Sequence, residues 1–320
     1  MMYKEALVSV VIPVYNREDT IQRAVDSVLN QTYSNIEVLV VDDGSKDNSL
    51  EMLKKYHNDN RVKIFCQEFN QGANAARNRG IREAKGKYIA FHDSDDEWLP
   101  DKLEKQIKRM EYGDFHVSFC AFKRQYPKTI QIIPHISEQL SGDKIKERLK
   151  RGNIVGTPTL VLHRDVVHKA GVFDEEMPRL QDYELAIRIA KKFDICFINE
   201  VLVIEYQLED CISLNQKSLH EAYALLLKKH ADFLDIDYIW NQYLETGNEI
   251  INQNIDWIKL DEVIDDITKT NKFCTKDNLY KATINQISEK YFRTKYYEEQ
   301  RFENILNKLV SEKFAVYGAG

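Results

Sequence analysis

The chain has 320 residues, 43% hydrophobic and 30% charged, with a net charge of -6. That profile fits a globular protein with room for two domains and argues against a nucleic-acid binder with a broad basic face. No apolar run approaches the roughly 20 residues that span a bilayer, and the five scattered cysteines form no C-x-x-C pair, which argues against a disulfide framework or a zinc site. Met1 to Glu5 lacks the apolar core of a secretory signal, so a reducing cytoplasm is the expected compartment.

Residues 7–14 (LVSVVIPV) form a nearly continuous apolar run, as expected of a strand covered on both faces. Across 18–30, Ile21, Ala24, Val25, Val28 and Leu29 recur at helical spacing. A second strand is predicted at 36–41, a short helix at 49–57 and a third strand at 62–65. A helix follows over 73–84, with Gly86 as its stop signal, and then a fourth strand at 88–91. This alternation predicts right-handed βαβ units and a mostly parallel, Rossmann-like α/β sheet flanked by helices. Strands at 115–122, 159–162 and 195–204 and a helix at 185–193 complete a first domain over 1–212. From 213 to 312 glycine nearly vanishes and apolar residues recur at helical intervals, which predicts a mainly α-helical C-terminal region. Residues 314–320 (FAVYGAG) run from an apolar strand into Gly-x-Gly, the way a dinucleotide-type turn begins. A truncated further Rossmann-like domain is therefore expected to start at 313–320.

Acidic residues punctuate the strand ends. Asp42 and Asp43 follow the second strand; Asp93, Ser94, Asp95 and Asp96 follow the fourth. Pro13, Tyr15 and Asn16 close the first, and Asn70, Gln71 and Gly72 lie beyond the third. In an open α/β sheet such loops converge on one crevice. So much negative charge is costly unless a cation neutralises it, and carboxylates are hard ligands suited to Mg²⁺ or Mn²⁺. Tyr15 offers a ring for stacking on a base, and an aspartate offers an acceptor for a base N–H. The set therefore reads as a site for a nucleoside diphosphate, with several acids expected around a single cation. Arg77, on the helix after Gly72, suits either the acidic loops or a phosphate; Arg79 is its weaker neighbour. Asp182, ahead of the helix at 185–193, reads as a general base or an N-cap, with Glu184 as its rival. The turn Gly156-Thr157-Pro158-Thr159 shapes an acceptor pocket or is only a turn. The basic run 144–151 (KIKERLKR) is a solvated helix face or a contact for anionic lipid.

These residues, in this order, resemble the family-2 glycosyltransferases of GT-A fold. The matching segments are SVVIPVYNRE (9–18), VVDDGSKDNS (40–49), NQGANAARNRGIREAKGKYIAFHDSDDEW (70–98) and LQDYELAIRI (180–189). The resemblance implies an inverting, metal-dependent transfer of a hexose or N-acetylhexosamine from a UDP-sugar to a hydroxyl of a glycan or lipid-linked glycan. Bacterial surface polysaccharide synthesis is the implied setting. Pro13 and Tyr15 would line the base pocket, Asp43 would accept the uracil N3–H, and Asn70 and Arg77 would touch the donor. Asp93 and Ser94 would lie along the ribose and diphosphate, Asp95 would hold the metal, and Asp182 would be the base.

Two departures stand out. Gln181 replaces the acid usual before the base, and the segment after Ile204 (EYQLEDCIS) lacks the Arg and His that close over the diphosphate in many members; His220 is a candidate substitute. The rival expectations are a nucleotidyltransferase and a degenerate domain serving as a scaffold. A nucleotidyltransferase would carry a Gly- and Lys/Arg-rich loop where Tyr15-Asn16-Arg17-Glu18 stands. Peripheral membrane contact and homo-oligomer formation through the helical region complete the expected partners.

Overall fold

The computed structural model describes residues 5–134, 140–207 and 216–246, with isolated helical positions at 263–265, 269, 279 and 283. Strand β1 (Val8–Val14) leads into helix α1 (Ile21–Leu29), β2 (Ile36–Asp42) and α2 (Ser49–Leu53). Both strands are buried at every position, which is why their sequences run apolar without alternation. Next come β3 (Val62–Cys66), α3 (Ala73–Glu83) and β4 (Tyr88–Phe91). Strands β1 to β4 pair in parallel in the order β3-β2-β1-β4.

The second half of the sheet is mixed. It is built from β5 (Glu97–Trp98), α4 (Lys102–Gly113), β6 (Val117–Gln125), β7 (Ile130–Ile133), α5 (Asp143–Arg151), β8 (Val161–His163), α6 (Arg164–Ala170), α7 (Gln181–Ala190) and β9 (Ile195–Tyr206). The order continues from β4 through β8, β6 and β9 to β5, with β7 beside β6. Strand β8 runs antiparallel to both β4 and β6, whereas β6 and β9 are parallel. The result is a GT-A-type sheet with helices on both faces. Strands β5 and β7 and helix α6 were not foreseen, because elements of two to seven residues are too short to show a period.

Helix α3 packs against β1 and β2. A Cβ on Gly80 would lie 2.3 Å from Val11 Cγ1, so glycine here sets how closely helix and strand approach. The helices α8 (Gln216–His230) and α9 (Ile236–Thr246) join the apolar core that already holds Tyr183, Leu185 and Ile189 of α7 and Leu149 of α5. Tyr183 Oη donates to Leu149 O at 2.6 Å and ties α7 to α5. The expected strand at 314–320 lies outside the described residues. So does nearly all of the chain past 246, which leaves most of the helical region expected over 213–312 undescribed.

Candidate functional site

The loops after β1 and β2 are stitched together at the carboxyl edge of the sheet. Asn16 N–H donates to Ser45 Oγ (3.0 Å), Arg17 N–H to Ser49 Oγ (2.7 Å) and Glu18 N–H to Asp47 Oδ2 (3.0 Å). Asn16 takes a left-handed backbone (φ 50°), which its short polar side chain tolerates while accepting from Lys46 N–H at 2.8 Å. The turn leaves Tyr15 40% exposed, its ring open to solvent, directly after buried Pro13 and Val14.

Asp43 is buried, and its carboxylate organises the next loop. Oδ1 accepts from Gln67 Nε2 (2.6 Å) and Gln71 N–H (2.8 Å), and Oδ2 accepts from Gly72 N–H (2.8 Å). A carboxylate offers about four acceptor positions, so Oδ2 retains capacity for one further donor. Exposed Asn70 also accepts from Gly72 N–H, at 3.1 Å. This loop opens α3, which carries Arg77 inward. Arg77 is buried; its guanidinium donates to Asn74 Oδ1 (3.3 Å) and to Asp93 Oδ1 (2.7 Å). Arg79 faces outward and pairs with Glu83.

The loop after β4 carries half-buried Asp93 and Asp95 and buried Ser94 and Asp96. Asp96 Oδ1 accepts from Tyr206 N–H at 3.3 Å, which draws the end of β9 onto this loop. Glu205, one residue earlier, is held by Arg124 of β6 through two contacts of 2.8 and 3.2 Å. Burial raises the pKa of Asp95, the charge of Asp93 raises it further, and Arg17 opposes the rise. Burial, then the charges of Asp95, Asp93 and Glu205, push Asp96 well upward. Burial also raises Glu205; Arg124 opposes this while Asp93 and Asp182 add to it.

Asp182 reaches the same place from the far half of the fold. Leu180, at the N-cap of α7, is forced into a left-handed backbone (φ 58°) that a branched residue adopts only under constraint. This bend turns the start of α7 toward the sheet edge. Asp182 is no cap: it stands inside the helix and accepts from Tyr183 N–H at 2.8 Å. Its pKa is raised by burial. The Tyr183 N–H, the Asn153 side chain and the Arg77 charge counter this, and the Asp93 charge reinforces it. Asp95, Asp96, Asp182 and Glu205 thus all lie within the electric field of Asp93, which Arg77 holds.

Several expectations need correction. Glu184 is no rival base: it accepts from Arg188 at 2.7 Å twice and from His230 Nε2 at 3.0 Å, inside the α7–α8 contact. His220 cannot supply the missing cation, because it is buried and stacked on Tyr243 of α9 with ring centroids 4.3 Å apart. The turn at Thr157–Thr159 is buried and braced, with Pro158 O accepting from Trp98 Nε1 at 2.9 Å. On α5, Lys146, Lys150 and Arg151 make surface ion pairs with Asp194, Glu147 and Asp235, which fits the solvated-face alternative for this basic run. Nor do the acids form a cage. Among the described residues the only trio with ligand atoms within 4.8 Å of one another is His116, His163 and Asp165, beside the start of β4 at the opposite sheet edge. There His163 Nδ1 already accepts from Asp165 N–H. A divalent ion at Asp93 and Asp95 would therefore take one or two protein oxygens and complete its shell from phosphate and water, as Mg²⁺ and Mn²⁺ commonly do. The donor set fits such an ion, because its ligands are hard carboxylate oxygens and burial and the neighbouring Asp93 charge both disfavour an uncompensated charge on Asp95.

The sequence reading missed Arg17, Arg23, Arg124 and Glu205. Arg17 Nε lies 3.3 Å from Asp95 Oδ2, and Arg23 donates to Asp95 O while stacking on the Tyr206 ring. Arg17 and Arg23 thus bring positive charge to the Asp95 loop from the β1 side of the edge. A sequence signal existed for Glu205, an acid at the carboxyl end of the last strand.

The family model described as Glycosyl transferase family 2 matches residues 9–171. Among curated relatives, the Escherichia coli protein named UDP-Glc:alpha-D-GlcNAc-diphosphoundecaprenol beta-1,3-glucosyltransferase WfgD is 34% identical, over 60% of this chain and 73% of that protein. A Rickettsia bellii protein described as an uncharacterized glycosyltransferase is 46% identical over 38% of the chain. The chain spans only 17% of that relative, and 32% of each of two further Rickettsia relatives. Among solved structures, TarS 1–349 of S. aureus in complex with UDP-GlcNAc superposes with a TM-score of 0.68 at 19% identity, covering 91% of this chain and 93% of that one.

Proposed function

The chain belongs to glycosyl transferase family 2, and from that premise we propose that it is a metal-dependent, inverting glycosyltransferase. Its donor is a UDP-sugar carrying a hexose or N-acetylhexosamine. Its acceptor is a hydroxyl of a glycan or lipid-linked glycan, in the building of a bacterial surface polysaccharide. The observation that carries this reading is the gathering of Asp95, Asp182 and Glu205 around Asp93, itself held by Arg77, at one sheet edge.

In this reading the exposed ring of Tyr15, backed by Pro13, stacks on the uracil, and Asp43 Oδ2 accepts its N3–H. Asn70 and Arg77 contact the donor, and Ser94 lies along the ribose and diphosphate beside Asp93. Asp95, with Asp93 beside it, would hold Mn²⁺ or Mg²⁺, which when bound would supply charge neutralisation for the departing diphosphate. Asp182 takes the proton from the acceptor hydroxyl as that oxygen attacks the anomeric carbon from the face opposite the leaving group. Burial raises its pKa, which strengthens it as a base. No covalent intermediate on the protein is required.

The division into a catalytic unit over 1–212 and a helical region over 213–312 belongs to the same proposal, with the helical region positioning the acceptor or joining copies. No helix among the described residues is long and apolar enough to cross a membrane; contact with a lipid-linked acceptor is therefore proposed as peripheral, at the cytoplasmic face. Incubation with a panel of sugar nucleotides, Mn²⁺ and acceptor lipids or glycans tests the reading. UDP release from one donor is the expected outcome. Pyrophosphate release would point to a nucleotidyltransferase, and no turnover across the panel would favour a scaffold.

A further inference from the structure

The loop after β3 carries an aromatic residue for which the site has so far had no use. Phe69 is 62% exposed, more than Tyr15. The backbone on either side of it is nevertheless fixed, chiefly by one carboxylate. Ahead of it, Gln67 donates its N–H to Asp42 O at 2.8 Å and its side chain to Asp43 Oδ1 at 2.6 Å. Behind it, Gln71 and Gly72 donate their N–H groups to Asp43 Oδ1 and Oδ2, each at 2.8 Å. Phe69 itself rests on Gly44. A Cβ there would lie 3.0 Å from Phe69 Cα and C, so the residue after Asp43 must be glycine for the loop to close this far. On its other flank Asp43 donates N–H to Val14 O at 2.8 Å, next to Tyr15.

We propose that Phe69 is the second wall of the base pocket, stacking on the face of the uracil opposite Tyr15 while Asp43 holds the edge of the ring between them. This rests on the donor reading above. The strand order β3-β2-β1 puts Asp43, at the end of β2, between the loop that carries Phe69 and the loop that carries Tyr15. Two interstrand spacings separate β3 from β1 by roughly 10 Å. That gap takes one flat ring between side chains reaching in from both sides. An aromatic ring left in water gains by covering a base, whose π-face is as large and as flat as its own. The loop is ordered by Asp43 before any ligand arrives, so stacking on Phe69 costs little further backbone entropy. The same carboxylate that reads the base therefore also sets the position of the ring that covers it.

UDP titrated into the full chain with Mn²⁺, followed by calorimetry, reads this. Phe69→Ala should bind UDP about 5- to 20-fold more weakly than wild type, the loss of one base–aromatic stack. Phe69→Trp, which restores a ring, should return the affinity to the wild-type value or beyond. Dihydrouridine diphosphate keeps the phosphates and the N3–H but has a saturated, puckered base, so Phe69→Ala should cost it much less affinity than it costs UDP. Because the ring is exposed, the urea midpoint of Phe69→Ala should match wild type. Full UDP affinity in Phe69→Ala overturns the proposal. So does an equal loss for both nucleotides, which would mark damage to the loop. Tyr15→Ala separates this proposal from the donor reading. If Tyr15→Ala weakens UDP while Phe69→Ala does not, the donor reading stands and Phe69's role alone falls. If wild type binds no UDP, the two fall together.

Discussion

At the scale of single residues, two aspartates carry separable tasks, and their surroundings say which. Asp95 lies close to the like charge of Asp93, with Arg17 Nε 3.3 Å from its Oδ2, the setting of a carboxylate that suits a cation. Asp95→Asn should therefore abolish metal-dependent turnover; a variant that keeps wild-type rates in Mn²⁺ would remove the metal assignment. Asp182 instead stands at the mouth of a helix, with one oxygen committed to Tyr183 N–H. Asp182→Asn should still bind UDP but transfer sugar at least ~100-fold more slowly, the usual contribution of a positioned base. Equal rates in single-turnover assays would move the base elsewhere. The move cannot be to Glu184, whose carboxylate is consumed by Arg188 and His230.

At the scale of elements, α3 is the beam that aligns the donor half of the site with the acceptor half. Its Asn74 Nδ2 donates to Asp174 O and Met177 O, and its Asn78 both donates to Phe173 O and accepts from Phe173 N–H. These bonds hold the segment that leads into Leu180 and Asp182. The same helix presents Arg77 to Asp93 and rests on β1 through Gly80. Gly80→Ala would press a methyl into Val11, and such overpacking costs about 1–3 kcal/mol. A drop of that size is expected in urea unfolding. Because the shift also moves Arg77, a loss of UDP affinity should accompany it. An alanine variant as stable as wild type would show that the helix rides freely over the strand.

At the scale of the whole molecule, α7 joins the site to the helical region through a buried ionic cluster. Burial would raise the Glu184 pKa, but hydrogen bonds from His230 and Arg188 and their charges overcome it and lower the pKa to about 2. A carboxylate whose folded pKa lies below its unfolded value of 4.5 adds stability above that value. The contribution is lost as pH falls from 4.5 toward 2. Its ceiling is about 3 kcal/mol, from roughly 1.4 kcal/mol per pKa unit. Unfolding followed over that window should steepen with acid in wild type and flatten in Glu184→Gln; parallel curves would show that other carboxylates carry the acid sensitivity.

The amino-acid sequence by itself determined the parallel half of the fold and the edge where the chemistry gathers. Strands β1, β2 and β4 are buried on both faces, so their apolar runs and the acids that end them are local facts that no distant contact can alter. It also placed Pro13 near the end of a strand, and Tyr15, Asp43, Asn70, Asp93, Ser94 and Asp95 on loops, at that edge. Only tertiary structure decided how the far half returns: β8 antiparallel between β4 and β6, β9 delivering Glu205 and Tyr206, and a strained Leu180 turning Asp182 inward. It alone separated Asp182 from Glu184 and Arg77 from Arg79, and only there did Arg17 meet Asp95. These are pairings across long stretches of chain, chosen by packing and by charge compensation in a low-dielectric interior. Neither leaves a period or a spacing for the sequence to show.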